Sequence, residues 1–94
     1  MALKCIIVDD EPLAIEVLES YVERIDGLEL VASCSNALNA FDVLKKEKVD
    51  LIFLDIQMPK INGIDFIKVL NPVPKVIFTT AYREYAIESY ELDV

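Results

Sequence analysis

The chain has 94 residues, 54% of them apolar and 28% charged, the make-up of one modest folded domain and not of two or of a disordered segment. Its formal net charge of −8 opposes direct contact with nucleic acid, whose phosphates need Lys and Arg, and favours cations or a basic protein surface. With no histidine, Ser/His/Asp and Cys/His catalysis are excluded and the commonest zinc ligand is missing.

Leu3 to Val8 is a short, mostly apolar run, the pattern of a strand buried on both faces. Asp9, Asp10 and Glu11 follow at once, and Pro12 ends any strand. The period then changes: Ala14, Val17, Leu18, Tyr21, Val22 and Ile25 recur at three and four, a helical stripe with Pro12 in its first turn and Gly27 past its end. Leu28 to Cys34 is a second strand. Ser35 or Asn36 can cap the next helix, whose stripe is Ala37, Ala40, Phe41 and Leu44. Val49 to Leu54 is a third strand, ending on Asp55. Residues 57–63 carry loop punctuation, Ile64 to Leu70 is a short helix, Lys75 to Thr79 a fourth strand, and Tyr82 to Glu91 a helix of weaker pattern. The two cysteines, Cys5 and Cys34, lie in apolar runs and are expected to be reduced core residues. Neither a signal peptide nor an apolar stretch long enough to cross a bilayer is visible, so a cytoplasmic, non-membrane domain is expected.

Apolar strands alternating with helices predict an α/β fold, a parallel sheet covered on both faces with right-handed crossovers. All carboxyl ends of such strands lie on one edge, where open α/β sheets bind ligands. Asp9-Asp10, Asp55 and Thr79-Thr80 end three of the strands. Two or three carboxylates with a backbone carbonyl make a hard oxygen site suited to Mg²⁺, and a carboxylate beside such an ion can serve as a nucleophile toward phosphorus. Plainer readings exist for each residue alone. Asp10 or Glu11 can cap the first helix, Asp55 can be a loop acid, and Thr79 and Thr80 can be ordinary β-branched strand residues. Shared placement on one edge is what favours a metal-dependent phosphate site.

Val8 to Pro12 (VDDEP), Leu54 to Phe66 (LDIQMPKINGIDF) and Phe78 to Tyr82 (FTTAY) together resemble the receiver domain of two-component response regulators, over nearly the whole chain. The resemblance implies a doubly wound, flavodoxin-like parallel sheet of order 2-1-3-4-5, with residues 1–94 as one receiver domain. It implies Asp55 as the phosphoacceptor, fed by a phosphohistidine on a sensor histidine kinase. It places Mg²⁺ on Asp10 directly, on Asp9 commonly through water, on Asp55, and on the backbone carbonyl of Gln57. Thr80 matches the switch hydroxyl, and Pro59 and Gly63 match the residues that shape the loop. Gln57 and Tyr82 occupy positions that tune phosphate lifetime. The wording around Thr79 to Tyr82 and Glu84 to Ala86 is further similar to receivers that precede a LytTR-type DNA-binding domain, which would lie outside this chain.

One departure accompanies the resemblance. The chain stops at Val94, before the fifth strand with its phosphate-pairing Lys and the fifth helix, so a C-terminally truncated receiver is expected. Strand four would then be an edge strand, open to a dimer or a swap with a second copy. Two rival functions remain: a pseudo-receiver that only binds partners, and a phosphohydrolase of the haloacid-dehalogenase type. The second needs an acid two residues after the nucleophile, where this chain has Gln57. Neither GxGxxG nor GxxxxGK occurs, so a nucleotide fingerprint is absent.

Overall fold

The computed structural model describes residues 2–56, 63–70 and 74–79. Its elements run β1 (Leu3–Val8), α1 (Pro12–Arg24), β2 (Leu28–Cys34), α2 (Ala37–Lys46), β3 (Leu51–Leu54), α3 (Gly63–Lys68) and β4 (Lys75–Phe78). The strands form one sheet in the order β2-β1-β3-β4, every pair parallel, in register Val8↔Leu54↔Phe78 at the carboxyl end. Strand order reverses between β1 and β3. The expected α/β, doubly wound, flavodoxin-like sheet is therefore present for its first four strands. The expected helix over Tyr82 to Glu91 lies outside the described residues.

Alternation along the strands divides the core. Ile6 and Val8 of β1, Ile52 and Leu54 of β3 and Val76 of β4 share a cluster with Ala37 and Ala40 of α2 and Phe66 and Ile67 of α3. The rings of Phe41 and Phe66 stack across it at 4.7 Å. Each fully buried aliphatic side chain here contributes about 1.5–3 kcal/mol. Cys5 and Ile7, also fully buried, have the opposite parity, on the sheet face that α1 covers through its packing on β1 and β2.

Helix α1 begins with Pro12 in its first turn, as its sequence predicts. Its apolar stripe resolves into two ridges. Ala14, Leu18 and Val22, spaced by four, turn toward the sheet, and Val22 is buried; the neighbouring ridge of Leu13, Val17 and Tyr21 is more than half exposed. A stripe too wide for one contact line leaves its outer row uncovered. Gly27, at φ 94°, turns the chain in the left-handed region, and its carbonyl accepts the N–H of Leu3 at 2.7 Å. Of the two residues expected to cap α2, it is Asn36, whose side chain accepts the N–H of Asn39 at 2.8 Å.

Several boundaries differ from expectation, among them the end of α3, which is Lys68 and not Leu70. β3 starts at Leu51 and not at Val49, because the Asp50 carboxylate takes the N–H of Lys4 at 2.9 Å and so replaces a backbone carbonyl at that point of the ladder. Gly63 opens α3 and does not belong to the preceding loop. β4 ends at Phe78, although the N–H of Thr79 still bonds the Leu54 carbonyl. Among the described residues no helix is long and apolar enough to cross a membrane.

Candidate functional site

Each of β1, β3 and β4 runs one residue past its last ladder pair at the carboxyl edge. The N–H of Asp9 bonds the Cys34 carbonyl, that of Asp55 the Val8 carbonyl and that of Thr79 the Leu54 carbonyl, all at 3.0 Å. These bonds fix the backbone of the site from the sheet itself, so the acids stand directly on the strand ends.

Asp9 is buried at 4% exposure, while Asp10 and Asp55 are partly exposed. The Asp9 Oδ1 accepts the N–H of Glu11 at 2.9 Å, which closes the turn between β1 and α1. This bond replaces the capping role open to Asp10 or Glu11: Glu11 occupies the N-cap position of α1, but its side chain makes no capping bond. The turn fixes the orientation of the Asp9 carboxylate.

One carboxylate oxygen from each of Asp9, Asp10 and Asp55 lies within 4.8 Å of the other two. Oxygens around a single Mg²⁺ at ~2.1 Å stand up to ~4.2 Å apart, so a small rotamer adjustment brings the trio onto one ion. All-oxygen, all-anionic donors are the set that a hard divalent cation prefers. The three acids that the sequence placed at one edge are thus together, and the residues present fit a Mg²⁺ site.

On the far side of Asp55, the N–H of Gly63 donates to the Ile56 carbonyl, returning the chain against the backbone of the acid. Thr80, Gln57, Pro59 and Tyr82 lie outside the described residues. Lys4 and Lys75 stand at the amino ends of their strands, on the opposite edge. Two features escaped the sequence reading. The Asp50–Lys4 link is invisible because a side-chain-to-backbone bond across strands leaves no periodic trace. The Thr79 Oγ1, buried and without a hydrogen-bond partner among the described residues, is hidden by the ordinary β propensity of threonine. Cys5 and Cys34 are both free and buried, and burial pushes both thiols above their ordinary value.

Comparison with known proteins agrees with this geometry. The family model for the response regulator receiver domain matches residues 5–94. An uncharacterized response regulatory protein of Yersinia pestis is 48% identical over 91 residues, covering 95% of this chain and 38% of the relative. The transcriptional regulatory protein BtsR of Escherichia coli K12 is 43% identical over the same shares. The chain therefore spans 38% of the length of these relatives. Among solved structures, the response regulatory domain of mrkE from Klebsiella pneumoniae superposes with TM-score 0.86 at 36% identity, over 98% of this chain and 78% of that one. The isolated receiver domain of RcsB from Salmonella enterica, with the phosphomimetic BeF3−, gives TM-score 0.86 at 25% identity over 99% and 72%. The parallel sheet, the acids gathered at its carboxyl edge and these matches agree, and the chain belongs to the response regulator receiver domains, signalling modules that work through phosphorylation.

Proposed function

We propose that residues 1–94 form a receiver in which Asp55 accepts a phosphoryl group from the phosphohistidine of a sensor histidine kinase. A carboxylate oxygen of Asp55 forms the new bond to phosphorus, the phosphorus–nitrogen bond of the donor breaks, and the departing imidazole takes a proton. Asp9, Asp10 and Asp55, with the Gln57 carbonyl, are the residues that would hold Mg²⁺. When bound, Mg²⁺ offsets the mutual repulsion of the acids and the charge on the phosphoryl oxygens. Asp9, fixed by Glu11, orients one side of the site, and Gly63 fixes the other through the backbone beside Asp55.

The observation that carries this reading is the convergence of three carboxylates within 4.8 Å at the strand ends. Like charges gathered on a rigid edge need a cation, and a cation-bound carboxylate at a switch point of the sheet is positioned to take phosphorus. Thr80 would relay the modification to the surface around the fourth strand, and Pro59 would shape the loop after the acceptor. The chain catalyses only its own phosphorylation and dephosphorylation. It works in the cytoplasm within a longer regulator, whose output domain is of the LytTR DNA-binding type.

The test is intact-mass measurement after incubation with Mg²⁺ and a small phosphoramidate donor. The reading expects a gain of one phosphoryl group by the native chain and none by Asp55→Asn. No gain, or an equal gain by the variant, ends it.

A further inference from the structure

Thr79 stands in the same row as the acids. Because Val8, Leu54 and Phe78 are register partners, and because the hydrogen bonds from the next residue on each strand extend the ladder by one step, Asp9, Asp55 and Thr79 lie side by side across β1, β3 and β4. Each follows a residue that packs in or against the same core cluster, so the three share the opposite parity. Adjacent strands are ~4.8 Å apart, which puts Thr79 one strand spacing from Asp55.

Thr79 carries the buried side-chain polar atom that lacks a hydrogen-bond partner among the described residues, its Oγ1. A buried hydroxyl without a partner is costly, and valine fills the same shape without that cost. Such a hydroxyl, one strand from Asp55, is available to donate to a group that arrives there. We infer, resting on the reading of Asp55 as phosphoacceptor, that the Thr79 hydroxyl is held for the modified state: unpaired at rest, it donates to an oxygen of the phosphoryl group on Asp55. The pairing lowers the energy of the modified state relative to the resting one and so biases the two-state equilibrium of the switch. Thr79 is then a second hydroxyl at the site, distinct from Thr80.

The experiment is thermal unfolding of the native chain, Thr79→Val and Thr79→Ser, each with and without Mg²⁺ plus beryllium trifluoride, the phosphomimetic used with the RcsB receiver. The resting Thr79→Val variant is expected to melt above the native chain, by about 4 °C or more for a chain of this size. Its gain on adding the mimic is expected to be smaller than the native gain by a similar amount. Thr79→Ser, which keeps the hydroxyl, recovers the native gain. An unchanged gain in Thr79→Val, or a resting variant that melts below the native chain, overturns the role of Thr79 while leaving the phosphoacceptor reading in place. If the native chain itself gains nothing from the mimic, the phosphoacceptor reading fails, and the role of Thr79 fails with it.

Discussion

Gly63 rests directly on the backbone of Asp55: a Cβ built on it would stand 2.6 Å from the Asp55 carbonyl oxygen and 2.9 Å from the Ile56 Cα. Both neighbours are backbone, so neither can swing aside. Gly63→Ala is expected to cost about 1–3 kcal/mol by overpacking, seen as a fall in melting temperature of ~4 °C or more. Because the displaced backbone is that of Asp55, the proposed acceptor, phosphoryl uptake should fall as well. A variant that melts and accepts phosphate like the native chain would show that the contact is not a constraint.

The architecture was legible where burial is two-sided. The run Leu3 to Val8 matches β1 residue for residue, because Cys5 to Val8 are buried on both faces and so are apolar; Leu28 to Cys34 also matches β2, although that strand keeps Glu29 and Ser33 exposed. The acid trio was legible in two steps: parallel strands carry their last residues to one edge, and the strand order implied by the family resemblance makes β1 and β3 neighbours there. Legibility failed where side chains override pattern. Val49 and Asp50 fit a strand by propensity, but the Asp50 carboxylate takes over the bond to Lys4 and delays β3. Gly63 looks like a loop residue, yet its place is set by what it touches and not by its turn preference. The apolar period of α1 named the helix correctly without telling which of its two ridges would meet the sheet.

Asp9 has two separable duties. Its Oδ1 holds the Glu11 N–H, and its charge belongs to the acid trio. Asp9→Asn keeps a carbonyl oxygen for the turn and removes one like charge, so the metal-free variant should melt at or above the native temperature. Asp9→Ala loses the acceptor and should be less stable by about 1 kcal/mol. Both should bind Mg²⁺ more weakly, followed by amide chemical-shift titration. Equal stability of the two variants would remove the turn from the account.

The thiols of Cys5 and Cys34 are raised above their ordinary value of 9.0 by burial. Two consequences can be measured. Thiol reagents at pH 8 should leave both residues unmodified in the native chain and label both in denaturant. Above pH 9 the unfolded chain gives up thiol protons that the folded chain keeps, so these groups make stability fall as pH rises through that range and leave it unchanged below. Replacement of both by alanine or valine should flatten this part of the stability profile. Fast labelling under native conditions would contradict the burial.

Asn36 caps α2 through the N–H of Asn39. Asn36→Ala should cost about 1 kcal/mol in denaturant unfolding, while Asn36→Asp, which keeps the oxygen and suits the helix dipole, should be neutral or slightly stabilising.

The most direct test of the whole account is to locate the phosphoryl group. After reaction with a small phosphodonor in Mg²⁺, peptide-level mass spectrometry should place it on Asp55 alone, and a chelator added beforehand should abolish it. A phosphoryl group on Asp9, Asp10 or any other residue, or uptake that persists in excess chelator, would contradict an acceptor prepared by three acids and a shared cation.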